Sequence, residues 1–392
     1  MDTRSLEIMQ KNVIFGAGIY GKKALEKIGT DQVAYFIDNS EIKQGTLYLE
    51  KEIISLDKFL VLPEPYHIIV ASVYASSIVK QLKEAGIENY SLFIDELYGY
   101  YETDELIVNP YETAPEAATE EEWKQAEKLQ YMKKAVFDEV ELLYEKQPLF
   151  NHIEVETINR CNGVCSFCPV NKNVDPRKEA VMSEEMFHGI VEQLAEIDYS
   201  GRFTTFSNNE PLLDERIIEW NRYAREKLPK ARMHMFTNGT LLTLDKFIAL
   251  TEVLDELIID NYQQELKLIK PCQEIQRYCE EHPELKKKVT IVLRKPNEIL
   301  TSRGGDAPNR ENIGDYSKDR CVLPFKQMII RPDGKISLCC NDATGKYTLG
   351  DLSKDKLLDI WYGPRFQMVR KCLHEGRENW GNCRKCDNFS VG

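Results

Sequence analysis

Three cysteines packed into one short stretch, Arg160-Cys161-Asn162-Gly163-Val164-Cys165-Ser166-Phe167-Cys168-Pro169, constrain this chain more than any other feature. They follow an alternating run from His152 to Ile158, so the loop that carries them is expected to leave the end of a strand. Three thiolates on one loop cannot complete the four-ligand shell of a structural zinc, and the nearest downstream histidine is His188. They can hold a [4Fe–4S] cluster by three of its corners, which leaves the fourth iron open for a ligand. A zinc loop, or three unrelated buried cysteines, is the competing reading.

Composition narrows the surroundings of this loop. The chain has 392 residues, enough for two or three domains, with 42% hydrophobic and 29% charged residues, as in an ordinary globular protein. Its net charge of −13 offers no basic face for nucleic acid or for an anionic membrane. The first residues lack the apolar core of a signal peptide and no run is long enough to span a bilayer, so a cytoplasmic location is expected. Eleven cysteines then suggest metal or redox use rather than disulfides. Cys272, Cys279 and Cys372 lie outside any tight spacing and are expected to be packing residues or spare thiols.

Taken in order, the chain reads as α/β throughout. Asn12 to Phe15 is a strand, Gly16-Ala17-Gly18-Ile19-Tyr20-Gly21 a glycine turn into a helix that runs to Ile28, and Val33 to Ile37 a second strand ending at Asp38. The glycines Gly16, Gly18 and Gly21 allow a close approach to a pyrophosphate, and Asp38 is spaced to meet a ribose hydroxyl. A further strand from His67 and a helix from Ser76 to Ala85 continue a doubly wound, Rossmann-like pattern over residues 1–98. Residues 99–150 read as an acidic linker and a bracing helix, opened by a capping box at Thr119 to Glu122. From 151 to 310 strands and helices alternate, with strands at 152–158, 203–207, 232–237, 257–261 and 288–294: a partial (β/α) barrel with its functional groups at the C-terminal strand ends. No sixth strand is evident. Residues 311–392 form a small domain with a β-hairpin around Pro332-Asp333-Gly334 and a helix at Leu357 to Trp361.

The CxxxCxxC loop resembles that of the radical S-adenosylmethionine (SAM) superfamily. The resemblance implies that SAM chelates the open iron through its amino and carboxylate groups, and that one electron cleaves it to methionine and a 5'-deoxyadenosyl radical, which abstracts hydrogen from a substrate. It also implies that Phe167 lies near the adenine. Ser207-Asn208-Asn209-Glu210-Pro211 resembles the family's GGEP segment, which binds the SAM amino group; Glu210 and Pro211 match, and Asn208 and Asn209 replace the glycines. Thr237-Asn238-Gly239 matches a TNG segment of its peptide- and carbohydrate-modifying branches, and Arg294 is placed to grip the SAM carboxylate or to be an exposed structural arginine. The segment IFGAGIYGKKAL with FIDNS resembles a Rossmann domain found at the front of sugar acyltransferases and other polysaccharide-biosynthesis proteins. That resemblance implies a nucleotide or nucleotide-sugar ligand; a docking module that binds nothing is the alternative.

Cys321, Cys339 and the pair Cys383-Arg384-Lys385-Cys386 resemble the SPASM/twitch extension of the same superfamily, which implies a second [4Fe–4S] cluster on these four residues. Cys340 competes with Cys339, and a four-cysteine zinc site is the alternative. The cysteine layout is similar to that of twitch-domain aminocyclitol dehydrogenases, which implies oxidation of a carbohydrate-like or nucleotide-linked small molecule, with epimerisation as the close alternative and Cys340 as its hydrogen donor. Maturation of a ribosomally made peptide is the runner-up, and a non-catalytic metal-binding scaffold the third reading. The family implies a reducing partner such as flavodoxin or ferredoxin. No catalytic base is assigned by the sequence.

Overall fold

The computed structural model describes residues 11–63, 65–72, 74–93, 105–112, 133, 136–310 and 314–389. The capping box at 119–122 and the first turns of the helix after it lie outside the described residues. The chain divides into two compact units, Met1–Asp95 (with Gly392) and Glu96–Val391.

In the first unit β1 (Asn12–Phe15), β2 (Val33–Ile37), β3 (Leu47–Tyr48), β4 (Lys51–Ile54), β5 (His67–Val70) and β6 (Tyr90–Leu92) form one sheet in the order β3-β4-β2-β1-β5-β6. All its pairings are parallel except that of β3 with β4. This order, growing outward from β1 on both sides, is that of a doubly wound sheet. Helices α1 (Ile19–Ile28), α2 (Leu56–Leu60) and α3 (Ala75–Glu84) supply the crossovers. The apolar strands Val13-Ile14-Phe15 and Ile68-Ile69-Val70 are buried on both faces, as parallel strands between helices must be.

The second unit is built on a nine-stranded sheet of order β15-β14-β13-β8-β9-β10-β11-β12-β7. Its members are β7 (Ile107–Val108), β8 (His152–Val155), β9 (Arg202–Thr204), β10 (Arg232–Thr237), β11 (Glu256–Tyr262), β12 (Val289–Arg294), β13 (Gln327–Ile330), β14 (Lys335–Ser337) and β15 (Thr348–Asp351). The five strands expected between 152 and 294 are all present. The sheet extends beyond them in parallel at both edges: β7 pairs with β12, and β13 pairs with β8. Thus the stretch read as a linker contributes an edge strand, anchored where Tyr111 donates from its hydroxyl to Glu298 at 2.7 Å and accepts from the Lys295 amide at 3.0 Å. Strand β13 belongs to the barrel sheet and to the C-terminal hairpin at once, because it pairs in parallel with β8 and antiparallel with β14.

Around this sheet lie α4 (136–146), α5 (Glu184–Glu196), α6 (Ile217–Lys227), α7 (Leu244–Val253), α8 (Lys270–Glu281), α9 (Leu323–Lys326), α10 (Leu357–Trp361) and α11 (Pro364–Glu375). Ser183 and Thr243 cap α5 and α7 by accepting the Met186 and Lys246 amides. Trp361, fully buried, packs edge-on against Phe150, stacks under the Arg370 guanidinium and donates to the Pro148 carbonyl at 3.0 Å. It fastens the C-terminal helices to the residues that lead into β8. No described helix is long and apolar enough to cross a membrane.

Candidate active site

Strand β8 carries buried Glu154, is followed by buried Glu156 and delivers the chain to the cysteine loop at the C-terminal end of the sheet. The loop folds on itself: the Gly163 amide donates to Cys161 Sγ at 3.2 Å, and the Asn171 side chain donates to the Cys165 and Cys168 carbonyls at 3.0 and 2.9 Å. A Cβ at Gly163 would stand 3.2 Å from Cys161 Sγ and 4.0 Å from Cys165 Sγ, so the residue between the first two thiols leaves the space a cluster would need. Burial pushes the Cys161 thiol up to about 11 and the Cys165 thiol up to about 12, and repulsion among Cys161, Cys165 and Cys168 adds to the rise. Desolvated thiols such as Cys161 and Cys165 are costly to ionise alone and favourable around a cationic iron–sulfur core. The residues present therefore fit a cluster held at three corners.

The neighbouring strand ends are locked to this loop by hydrogen bonds. Glu210, buried after β9, accepts from the Thr237 hydroxyl at 2.7 Å, the Asn238 amide at 2.8 Å and the Leu212 amide at 3.1 Å, while its own amide donates to the Arg160 carbonyl at 2.9 Å. Pro211 starts the 3-10 turn Pro211–Leu213. The Asn238 side chain donates to Asn162 within the cysteine loop at 2.7 Å, and Asn162 donates to Thr240 at 2.9 Å. Gly239 has φ +72, and a Cβ there would meet Ile259 at 2.7 Å and Cys272 Sγ at 3.2 Å, so Cys272 is a packing residue beneath the turn. The two asparagines in place of glycines are both bonded: Asn209 Oδ1 accepts the Ser207 amide at 2.9 Å, and Asn208 donates to the Cys340 carbonyl at 3.2 Å. Arg177 donates to the Asn208 carbonyl at 2.8 Å and pairs with Glu156 and Asp175 at 2.9 Å each.

These loops border an open cavity of about 130 Å³, lined among others by the three cysteines, Phe167, Ser207, Asn209, Glu210 and Asn238. Phe167 is buried and its ring lies 6.0 Å from that of Tyr262, which also lines the cavity. Asp260 lines the same wall; burial lifts its carboxyl to about 6 against the pull of Arg294. Arg294 itself stands behind that wall, 3.8 Å from Asp260 and 3.3 Å from Glu298, and is not among the lining residues.

A second, small cavity of about 30 Å³ lies among Cys339, Cys383, Cys386, Asp342 and Tyr347. The Cys339 thiol is driven well above its ordinary value by burial and by repulsion from Cys340, Cys321, Cys383 and Cys386, so these thiols converge on one another. Cys339, Cys383 and Cys386 line the cavity; Cys340 does not, and its amide and carbonyl are bonded to Gln327 and Asn208. Arg303 lines both cavities and donates to the Cys340 carbonyl at 3.3 Å. It sits at φ +51, followed by Gly304 at +66 and Gly305 at +92, a left-handed run that an ordinary turn does not need. Asp387 holds this loop by accepting from the Ser302 amide at 2.7 Å and pairing with Arg310 at 2.9 Å. Among the described residues no group of three or more His, Cys, Asp or Glu side chains is gathered as a single metal ion would require; the thiols of a four-iron cluster each bind a different iron.

In the first unit, the three glycines of the loop differ in their surroundings. A Cβ at Gly16 would lie 2.3 Å from the Ala71 carbonyl oxygen and one at Gly21 1.9 Å from the Gly16 carbonyl oxygen, while Gly18 has nothing within 4 Å and faces open space. Asp38 accepts from the Ala17 amide at 2.9 Å and from Lys43 at 3.2 Å, so its carboxylate is engaged with the loop itself.

Sequence reasoning missed Asp260 and Arg303, which line the cavity. Asp260 stands near the C-terminal end of a strand, the one signal that was available for it; Arg303 lies in an irregular turn with no signal at all.

Comparison with known proteins agrees with this geometry. Residues 155–263 match the radical SAM superfamily model, and residues 321–387 match SPASM, an iron–sulfur cluster-binding domain. The S-adenosyl-L-methionine-dependent 2-deoxy-scyllo-inosamine dehydrogenase of Niallia circulans is 29% identical over 247 residues, which are 62% of this chain and 95% of that protein. The crystal structure of BtrN in complex with AdoMet and 2-DOIA superposes with a TM-score of 0.55 at 27% identity, over 62% of this chain and 95% of that one. Residues 155–263 are thus a radical SAM domain, with SAM and a [4Fe–4S] cluster as its cofactors, and residues 321–387 are a SPASM domain, which binds further iron–sulfur clusters.

Proposed function

We propose that this chain dehydrogenates a secondary alcohol of a carbohydrate-like small molecule, an aminocyclitol or a sugar. The observation that carries the reading is Arg303, one cation that borders both the cavity at the strand ends and the cavity of the C-terminal thiols. An oxidation needs an electron acceptor beside the substrate, and an epimerisation does not. The dehydrogenase from Niallia circulans, which this chain matches over 95% of its length, supports the same class of substrate.

When bound, the SAM-cleaving cluster and SAM supply the 5'-deoxyadenosyl radical that removes a hydrogen atom from substrate. Cys161, Cys165 and Cys168 hold that cluster. Asn209, Glu210, Pro211 and Asn238 fix the loops that meet SAM, Phe167 lies against its adenine, and Arg294 acts through Asp260 on the same wall. Cys321, Cys339, Cys383 and Cys386 hold the second cluster, and Arg303 binds a substrate hydroxyl between the two. Electrons come from a flavodoxin or ferredoxin in the cytoplasm, and Gly16, Gly18, Gly21 and Asp38 form the nucleotide-binding loop of a Rossmann-like domain over residues 1–98.

The test is direct. Anaerobically reconstituted protein is given reductant, SAM and 2-deoxy-scyllo-inosamine, and the products are followed by mass spectrometry. A product lighter by two hydrogens, formed together with 5'-deoxyadenosine, is expected. An epimer of unchanged mass, or no product from this or any related cyclitol or sugar, would overturn the reading.

A further inference from the structure

Behind the cavity at the strand ends stands a buried carboxylate. Glu154 lies in β8, 4% exposed, and does not itself line the cavity. Ser207, which does, donates from its hydroxyl to Glu154 Oε2 at 2.6 Å. The other oxygen, Oε1, accepts from the Gln327 side chain on β13 at 2.6 Å, and Gln327 Oε1 accepts the Cys340 amide at 3.2 Å. A line of hydrogen bonds therefore runs from the cavity wall, through a buried carboxylate, to the residue next to Cys339. The Ser207 hydroxyl has one proton, given to Glu154, and two acceptor sites; one takes the Asn208 side chain at 3.2 Å and the other is available to a bound hydroxyl.

The groups facing Glu154 can be named from each side. On its own strand is His152, whose ring nitrogen stands 3.7 Å from Oε1 and which burial keeps neutral, and just past the end of that strand is Glu156. Arg202 faces it from β9 and Arg303 from the loop after β12, while β13 contributes only the neutral Gln327. Burial is the largest influence and lifts the carboxyl to about 7; Ser207, Arg303 and Arg202 oppose the rise, and Glu156 adds to it. Such an acid is poised to take up a proton near neutral pH.

We propose that Ser207 and Glu154 are the proton exit of the oxidation: Ser207 Oγ receives the proton of the substrate hydroxyl as it passes its own to Glu154. This rests on the dehydrogenase reading. Atoms and electrons balance in two stages. The carbinol C–H bond breaks and its hydrogen atom completes 5'-deoxyadenosine, leaving a carbon radical that bears the hydroxyl. Loss of the hydroxyl proton to the Ser207–Glu154 pair and of one electron to the C-terminal iron–sulfur cluster then forms the C=O bond. Gln327 keeps the proton acceptor bonded to the segment that carries Cys339, so proton and electron leave on the same side.

Two measurements test it, with Glu154→Gln, Ser207→Ala and Glu154→Asp compared with the unaltered holoenzyme. Infrared difference spectra should contain a buried carboxylic-acid band that disappears over roughly pH 6 to roughly 8. Glu156 is also buried and lifted to about 7, so the part of this band that Glu154→Gln removes is the part that belongs to Glu154, and that part should be displaced in Ser207→Ala. With 2-deoxy-scyllo-inosamine, ketone formation should rise with pH through about 7. Glu154→Gln should flatten that profile and raise the ratio of 5'-deoxyadenosine to ketone by about tenfold to about a hundredfold, at the lower end of what general-base loss costs, since Ser207 remains. Glu154→Asp should recover part of the loss. An unchanged ratio and an unchanged pH profile in Glu154→Gln would overturn the proposal, as would a carboxylic-acid band indifferent to that substitution. If the unaltered protein makes no oxidised product while the infrared band titrates and responds to both substitutions, the dehydrogenase reading falls and the proton-accepting pair stands.

Discussion

Glu154 also has a consequence for stability that does not depend on turnover. Its carboxyl rises from an ordinary 4.5 to about 7 in the folded chain, chiefly through burial. A raised carboxyl binds its proton more tightly when folded, so this contribution is fully present below the ordinary value and is lost as pH rises through about 7. Glutamine does not titrate. Glu154→Gln should therefore gain stability relative to the unaltered chain between roughly pH 5 and roughly 8, by up to ~3 kcal/mol. Urea unfolding across that range measures the difference, and a gap that does not change with pH would refute the assignment. For the thiols the expectation is simpler: Cys165→Ala removes a corner of the SAM-cleaving cluster, and 5'-deoxyadenosine formation should become undetectable. Formation at the unaltered rate would exclude Cys165 from the cluster. At this scale the cysteines were legible because their spacing carries the chemistry. Glu154 and Ser207 were not, because they are distant in sequence and meet only when β8 and β9 pair side by side. Asn208 and Asn209 read as departures from a glycine pattern, yet each makes the bonds that hold its loop.

At the scale of elements, most of the strands could be read because each was a run of β-branched and aromatic residues bounded by turns. Strand β10 spans Arg232–Thr237 and β2 spans Val33–Ile37, as their patterns predict. Among the features that the sequence did not reveal, an edge strand and a second pairing share one physical reason: their identity lies in the partner and not in the segment. Ile107–Val108 is only two residues long in an acidic, proline-bearing stretch, and it becomes a strand by pairing with Ile291 and Val292. Gln327–Ile330 read as one arm of a hairpin, which it is, but its other edge pairs with β8. Register here is functional, since it sets Ile329 beside Glu154 and brings Gln327 within reach of the carboxylate. The short edge strand β7 depends on a tyrosine just beyond its C-terminal end. Tyr111 bonds to both Glu298 and the Lys295 amide, with the Lys295 ammonium 4.6 Å from its ring centre. Tyr111→Phe deletes the hydroxyl and should lower stability by about 1 kcal/mol, the cost of leaving half-buried partners unmet. It should also speed amide exchange at Ile291, which donates to the Leu106 carbonyl. Unchanged exchange there would mean that β7 is held without the tyrosine.

At the scale of the whole molecule, the second unit gathers two sets of thiols on either side of Arg303, and the proposed chemistry requires both to be filled. The fold around the second set does not hang on its thiols alone. Arg377, buried, donates to the Cys386 carbonyl and to the Asn388 carbonyl, the latter at 2.6 Å, while Ser302 donates to the Lys385 carbonyl at 2.7 Å. These ties use main-chain groups that alanine retains. The double substitution of Cys383→Ala with Cys386→Ala should thus leave a folded chain, checked by circular dichroism and thermal melting. Its iron content should fall from about eight to about four per chain, two four-iron clusters becoming one. The SAM-cleaving loop has its own three thiols, so 5'-deoxyadenosine should still form. The substrate radical would have no neighbouring acceptor for its electron, so ketone should be lost while abortive SAM cleavage continues. A folded double variant that still makes ketone at the unaltered rate would remove the second cluster from the oxidation. Zinc in place of iron in the anaerobically purified protein, with about four irons per chain, would remove the second cluster altogether.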